Sequence, residues 1–395
     1  MEPDRNTLGQ FDLADSWWCS RLLLRRLRLD AWQVGAMALA GYYVLPMLLA
    51  ACEGVLVSPS MAGGQFELMG LGSVGRWLSR HPLATAETRY YGGDLIHLAM
   101  ALVTPAVGGT LMVVALDRFG DVFDYLARGG QLQVPDEVVA GEVAKGIRDC
   151  RRPAIHGVVI LVSIVLGVFF LRRVGDPSYA WWWGHQQFGP AGVAFALVAA
   201  AMVWGGATAV YLLAVALRTV ARLFSHPVTL RPFHSDGCNG FGRFGDYLMI
   251  LFFLSVTIAA SIWITFWGGY LGIERFVVTW IVGAGVLLAI PLILITPLVR
   301  CTVQIGRARQ ARLHRIEAVL DRALLGIERR VAEDEDGVAI RDEMRRLSET
   351  RKAVSEVYGS NNFPFKPRIA GTLSVGYLVQ VALIAKEAVK KLTDG

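Results

Sequence analysis

The chain has 395 residues, of which 54% are hydrophobic and 18% charged, and its mean hydropathy of +0.44 excludes an ordinary water-soluble domain of this length. A net charge of +6 does not indicate nucleic acid, because the Lys and Arg residues cluster beside apolar blocks instead of forming one surface stripe. Five scattered cysteines with no Cys-x-x-Cys pair argue against a disulfide framework or a zinc module and read as free thiols.

Residues 1–30 are Arg-rich and lack a small-residue cleavage site. They read as a basic cytoplasmic segment leading into an uncleaved signal anchor. Apolar blocks then run from Ala31 to Val57, Gly93 to Leu116, Ile155 to Leu171, Ala191 to Leu217, Tyr247 to Ile273 and Phe276 to Val299. Each reaches the roughly 20 residues needed to cross a hydrocarbon core about 30 Å thick. Backbone in hydrocarbon must satisfy its own hydrogen bonds, so these blocks predict helices, and the alternation of a barrel strand is missing. The expected fold class is therefore all-α, a polytopic transmembrane helical bundle of about six spans over residues 31–300.

The flanks orient it. Nineteen Lys and Arg residues, among them Arg25, Arg26, Arg151, Arg152, Arg222, Arg300 and Arg307, fall on the N-terminal side of the predicted bilayer against six on the other. This places the N-terminus in the cytoplasm of a cell that carries the protein in its plasma or inner membrane. Residues 58–92 become an external loop with a short helix near Phe66 to Leu78, and 117–154 and 218–246 become cytoplasmic loops. Tyr179 and Trp181, Trp182 and Trp183 are expected at the outer interface as an aromatic belt. The very short connection around Gly272 to Arg275 makes the fifth and sixth spans an antiparallel hairpin.

After Val299 the composition changes to charged helix. Ile316, Val319, Leu320, Leu324, Ile327 and Val331 recur every three or four residues, and after the acidic turn Glu333 to Gly337 a similar stripe resumes with Ile340, Met344, Leu347, Val354 and Tyr358. Residues 301–360 thus predict a cytoplasmic amphipathic helical hairpin of coiled-coil type, able to pair with copies of itself or with a cytoplasmic protein partner. Pro364 and its Gly and Asn neighbours end it. In 361–395 the apolar run Ile369 to Ala385, flanked by bases, reads as a re-entrant or interfacial membrane helix or as a seventh span.

Ionisable residues inside a bilayer are functional candidates. Glu53, Asp94 and His97 gather at outer span ends as an external polar cluster, read either as a cation-attracting vestibule or as interfacial residues reaching headgroups and water. The loop His234-Ser-Asp236-Gly237-Cys-Asn-Gly240-Phe-Gly242-Arg243 has glycines able to turn amides inward around a phosphate or headgroup, with Arg243 as counter-charge, or to form a tight connector. Pro291 and Pro297 are candidate hinges in the sixth span, while Pro46 and Pro105 predict kinks. Gly108 with Gly109 and Gly205 with Gly206 predict close helix approach. Ser255, Thr257, Ser261 and Thr265 supply a partial polar stripe for a pore.

No nucleophile triad, paired carboxylates or His-Glu-x-x-His pattern appears, so nothing points to catalysis, a metal or a cofactor. Kinked, charge-free spans joined to an oligomerising hairpin favour an oligomeric channel or pore within the lipid bilayer. A membrane-anchored signalling or scaffold protein, and a lipid-handling protein at the inner leaflet, are the alternatives.

Overall fold

The computed structural model describes residues 26–84, 88–179, 182–185, 187, 189–231, 238, 240–267, 277–332 and 337–359. Ala31–Glu53 forms the first apolar helix, α1, opened by Asp30, whose backbone N–H donates to Gln33 Oε1 at 2.8 Å. It ends at Gly54, where φ of +77° gives a left-handed cap and an added Cβ would meet Arg80. Two short helices, Pro59–Leu68 (α2) and Gly72–Leu78 (α3), fill the segment where one was expected.

Leu95–Arg128 (α4) is a 34-residue helix, about 51 Å long, and thus outlasts its apolar block. It continues as an amphipathic helix whose buried face carries Phe119, Phe123 and Leu126. Asp136–Cys150 (α5) occupies what the sequence suggested as loop, and the chain turns at Arg151 into Pro153–Gly175 (α6). Ala191–Leu223 (α7), Gly242–Trp267 (α8), Val277–Ala332 (α9) and Gly337–Gly359 (α10) complete the α-helices of the described residues. There are no strands among the described residues, and five helices are long and apolar enough to cross a membrane.

Burial is inverted on the outer surface. Leu161 is 60% exposed and Ile164 57%, and Val158, Val165 and Val168 on the same helix are exposed as well. Its other face, with Val159, Phe170 and Val174, is buried against protein, and a helix that is apolar on the exposed face as well needs an apolar solvent. The chain is thus a membrane protein by the length and composition of its helices.

Two cores organise the bundle. One surrounds Phe119, Phe123, Leu223, Phe224, Phe241, Phe244 and Tyr247, where α4 and α7 end and α8 begins, and takes in Cys301 and Ile305 of α9. Beside it Arg222 Nη1 lies 3.7 Å from Glu142 Oε2 and 3.8 Å from Asp149 Oδ2, and Arg152 Nη2 lies 2.7 Å from Asp149 Oδ1, joining α5, the turn before α6, and α7. The second core, at the other end, holds Tyr42, Tyr91, Trp182, Trp183 and Phe195.

Helix α8 packs on α9, as the expected hairpin requires. Helix α9 runs through Pro291 and Pro297 and through the predicted boundary at 300 without a break, so bundle and stalk share one 56-residue helix. The hairpin of α9 and α10 is present, clasped by an ion pair between Arg330 and Glu343. Its apolar stripe is covered at Ile327, 2% exposed, but Val331 is 55% exposed and Met344 46%. The C-terminal segment expected to meet the membrane lies outside the described residues.

Candidate functional site

The end of the bundle where α1 stops and α4 and α7 start is built on one carboxylate. A single turn of 3-10 helix at Tyr91–Gly93 is tied to the segment after α1 by Tyr91 N–H to Val55 O at 3.1 Å and Gly92 N–H to Leu56 O at 2.8 Å. This delivers Asp94 to the N-cap of α4, where Oδ1 accepts the backbone N–H of His97 at 3.2 Å. Its Oδ2 accepts the indole N–H groups of Trp183 at 3.1 Å and Trp182 at 3.4 Å. Asp94 is 2% exposed and His97 0%.

Asp94 and His97 are therefore brought together, but buried, because protein rings have replaced solvent around both. The aromatic belt is corrected likewise: Trp182 and Trp183 are buried, since an indole N–H removed from water needs an acceptor and Asp94 provides it. Trp181 and the side chain of Tyr179 lie outside the described residues. Glu53 stands apart from this pair. Its Oε1 accepts the backbone N–H of Ala191 at 2.7 Å, completing the first turn of α7, whose N-cap is Pro190 and offers no side-chain acceptor.

Five rings enclose the His97 imidazole. Tyr42 and Tyr43 stack on it with centroids at 5.0 and 5.6 Å, and Tyr91, Phe195 and Trp183 present edges at 5.2, 5.3 and 5.5 Å. Tyr91 donates its hydroxyl proton to the Tyr43 carbonyl at 2.5 Å, and burial first, then Tyr43, Tyr42 and Asp94, push its phenol far above the ordinary value. Tyr91 Oη, 3.2 Å from His97 Nε2, must then act as acceptor. This assigns the proton to Nε2 and leaves Nδ1 as a bare acceptor, buried and without a hydrogen-bond partner among the described residues.

Tyr42 and Phe195 have a second role. They also form part of the wall of a cavity of about 580 Å³ between α1, α4, α7 and α8. Its lining runs along α4 from Met100 to Val113, roughly 20 Å of axial height. No charged side chain is among the described lining residues, whose polar members are Tyr42, Thr104, Trp204, Thr257 and Ser261. Both helices that carry Tyr42 and Thr104 widen to π-helical turns there, at Ala40–Val44 and Leu102–Gly108. Such turns make up well under 1% of residues and gather at functional sites.

The glycines divide around this cavity. Gly35 and Gly109 let α1 and α4 touch: a Cβ added at Gly109 would lie 4.0 Å from the Gly35 Cα. Gly205 and Gly206, for which close approach was also expected, line the cavity instead, and no described residue comes within 4 Å of a Cβ added at either.

The pore stripe is half in the cavity. Thr257 and Ser261 line it, Ser255 does not, and the Thr265 side chain is outside the described residues. Thr257 and Ser261 donate to the Phe253 and Thr257 carbonyls at 2.8 Å each, Ser255 donates to Phe252 O at 2.7 Å, and Thr104 donates to Ser261 Oγ at 2.8 Å. Pro297 is buried, and of Pro291 only the backbone, in unbroken helix, is described.

In the glycine-rich loop, His234, Asp236 and Gly237 lie outside the described residues. Gly240 has φ of +91° and its carbonyl accepts from Gln131 Nε2 at 3.3 Å. Gly242 starts α8, and the Arg243 guanidinium lies over the Tyr125 ring at 5.0 Å. Phe244 stacks on Phe224 at 4.7 Å. These contacts hold the described part of the loop against the ends of α4 and α7.

The rings around His97 escaped the sequence reading. The Asp94–His97 spacing was a signal, since an Asp followed three residues later by the first buried position is an N-cap pattern. No family model matches the chain, and no curated protein or solved structure is significantly similar to it.

Proposed function

We propose that this multipass membrane protein holds an uncharged, lipid-like molecule inside its helical bundle. The observation that carries this reading is the 580 Å³ cavity without a charged lining residue among those described. Its size falls within the range of small-molecule sites, about 300–1,000 Å³. An ionic substrate would lose its hydration there with nothing to replace it, whereas a hydrocarbon chain loses none. Tyr42 has no hydrogen-bond partner among the described residues and supplies a hydroxyl for one polar group at the end of such a chain. The lipid-handling reading thus moves from the glycine-rich loop into the bundle. Basic flanks favour a cytoplasmic N-terminus.

The test is native mass spectrometry of protein extracted gently from membranes, comparing wild type with Gly205→Leu. Wild type carrying a bound apolar mass that the variant lacks supports the proposal. Wild type without such a mass, or a variant that keeps it, overturns it.

A second reading, an oligomeric channel, is favoured by Thr257 and Ser261 of the predicted stripe lying in the cavity wall and by exposed Leu324, Leu325 and Val331 on the stalk, which suit pairing between copies or with a cytoplasmic partner. Conductance of purified protein in planar bilayers, reduced by Ser261→Val, would establish it. Absence of conductance across voltages and ions would rule it out.

A further inference from the structure

Where the stalk leaves the bundle, a groove of about 690 Å³ separates α9 from the segment 227–230, from Gln133 and from Thr350 of α10. Arg307, Arg312 and Arg315 line it, with Ile316 and Leu320 as its apolar floor, and no Asp or Glu is among its described lining residues. Arg312 Nη1 donates to the Leu230 carbonyl at 2.7 Å, which fixes that side chain but leaves its charge. Arg307 and Arg315 have no hydrogen bond, ion pair or ring partner among the described residues. Three exposed arginines line one hollow with no carboxylate among its described lining residues, so their positive fields add there and favour an anion. Two other arginines of the stalk do have acidic partners: Arg330 pairs with Glu343, and Arg345 with Glu349 at 3.1 Å.

The geometry points to a binding site for a phosphate-bearing small molecule with an apolar body. Planar guanidinium forks match phosphate oxygens two at a time, and Ile316 and Leu320 receive the apolar part. The height of the groove chooses the source. Arg307 lies about 12 Å and Arg315 about 24 Å along the helix beyond Val299, the end of the apolar block. A headgroup layer is only about 5–7 Å deep on each side, so a phosphate of an embedded lipid does not reach Arg315. A soluble phosphate compound does. The site is separate from the bundle cavity and does not depend on it.

The experiment uses the full-length protein in detergent and the fluorescent nucleotide 2′,3′-O-trinitrophenyl-ATP as probe. Saturable binding displaced by inorganic pyrophosphate is expected, weakened at least tenfold in the double variant Arg307→Gln/Arg315→Gln. Neither arginine has a described hydrogen bond, ion pair or ring contact to lose, and an unchanged melting temperature confirms that the variant is folded. The control pair Arg341→Gln/Arg346→Gln, on α10 outside the groove, should bind like wild type. Short-chain phosphatidic acid separates the sources: displacement by it but not by pyrophosphate overturns the soluble-ligand assignment. No saturable binding, displacement only by polyglutamate, or equal weakening in the control pair overturns the proposal.

Discussion

Asp94 Oδ2 accepts the indole N–H of Trp183 at 3.1 Å across a sequence separation of 89 residues. The same carboxylate caps α4 and receives Trp182, so one side chain holds together a helix start and a distant loop. Removing it exposes three donors to an environment without water.

Asp94→Ala should accordingly be among the most damaging substitutions at this end of the bundle. Loss of an N-cap costs about 1 kcal/mol, and each buried donor left unpaired costs about 1–3 kcal/mol more. A fall in stability of about 3 kcal/mol or more is expected, measured by denaturant titration in detergent with tryptophan fluorescence. Asp94→Asn, which keeps one acceptor oxygen, should lose less. Equal losses would contradict the shared-acceptor account.

His97 and Tyr91 should show coupling. His97→Phe and Tyr91→Phe each break the relay from Nε2 through Tyr91 Oη to the Tyr43 carbonyl. A double-mutant cycle is expected to give an interaction energy of about 0.5–3 kcal/mol. Additive losses would mean that the rings act by packing alone.

The two kinds of glycine predict opposite outcomes. An alanine methyl at Gly35 would collide with Thr110 Oγ1 and stand 2.6 Å from the Ala106 carbonyl, so Gly35→Ala should destabilise by about 1–3 kcal/mol. Gly205→Ala meets no described atom within 4 Å and should gain up to about 1 kcal/mol from helix propensity. Melting temperatures of the two variants decide it.

A pH effect is expected at His185, in the loop before α7. Its Nδ1 accepts the Gln187 N–H at 3.3 Å. Burial holds the imidazole below its ordinary value of 6.5, against a smaller upward pull from Asp176. The unfolded chain therefore binds this proton more readily than the fold does. The contribution of His185 is present in full above about pH 6.5 and is lost as the pH falls below that value toward the depressed folded one. Thermal melts from pH 8 to pH 5 should fall more steeply for wild type than for His185→Gln. Parallel curves would exclude His185 as the cause.

Much of the architecture was legible because hydrocarbon tolerates only internally bonded backbone, which makes long apolar blocks such as Ala191 to Leu217 read as helix whatever surrounds them. Their ends were less legible. Helix α4 continues through Asp117, Arg118 and Asp121 to Arg128 because its buried face keeps helical spacing after the apolar run ends. Asp94 and His97 were legible as neighbours, but their partners were not.

By itself the sequence determined that the chain forms apolar helices with an amphipathic stalk, since both follow from local composition and period. Only the tertiary structure decided that Trp182 and Trp183 turn inward to Asp94, that Gly35 is a contact and Gly205 a gap, and that Arg307 and Arg315 line a hollow with no carboxylate among its described lining residues. Those outcomes depend on which distant segment stands opposite each residue, and the spacing between helices is set by packing across the whole bundle, which no local pattern encodes.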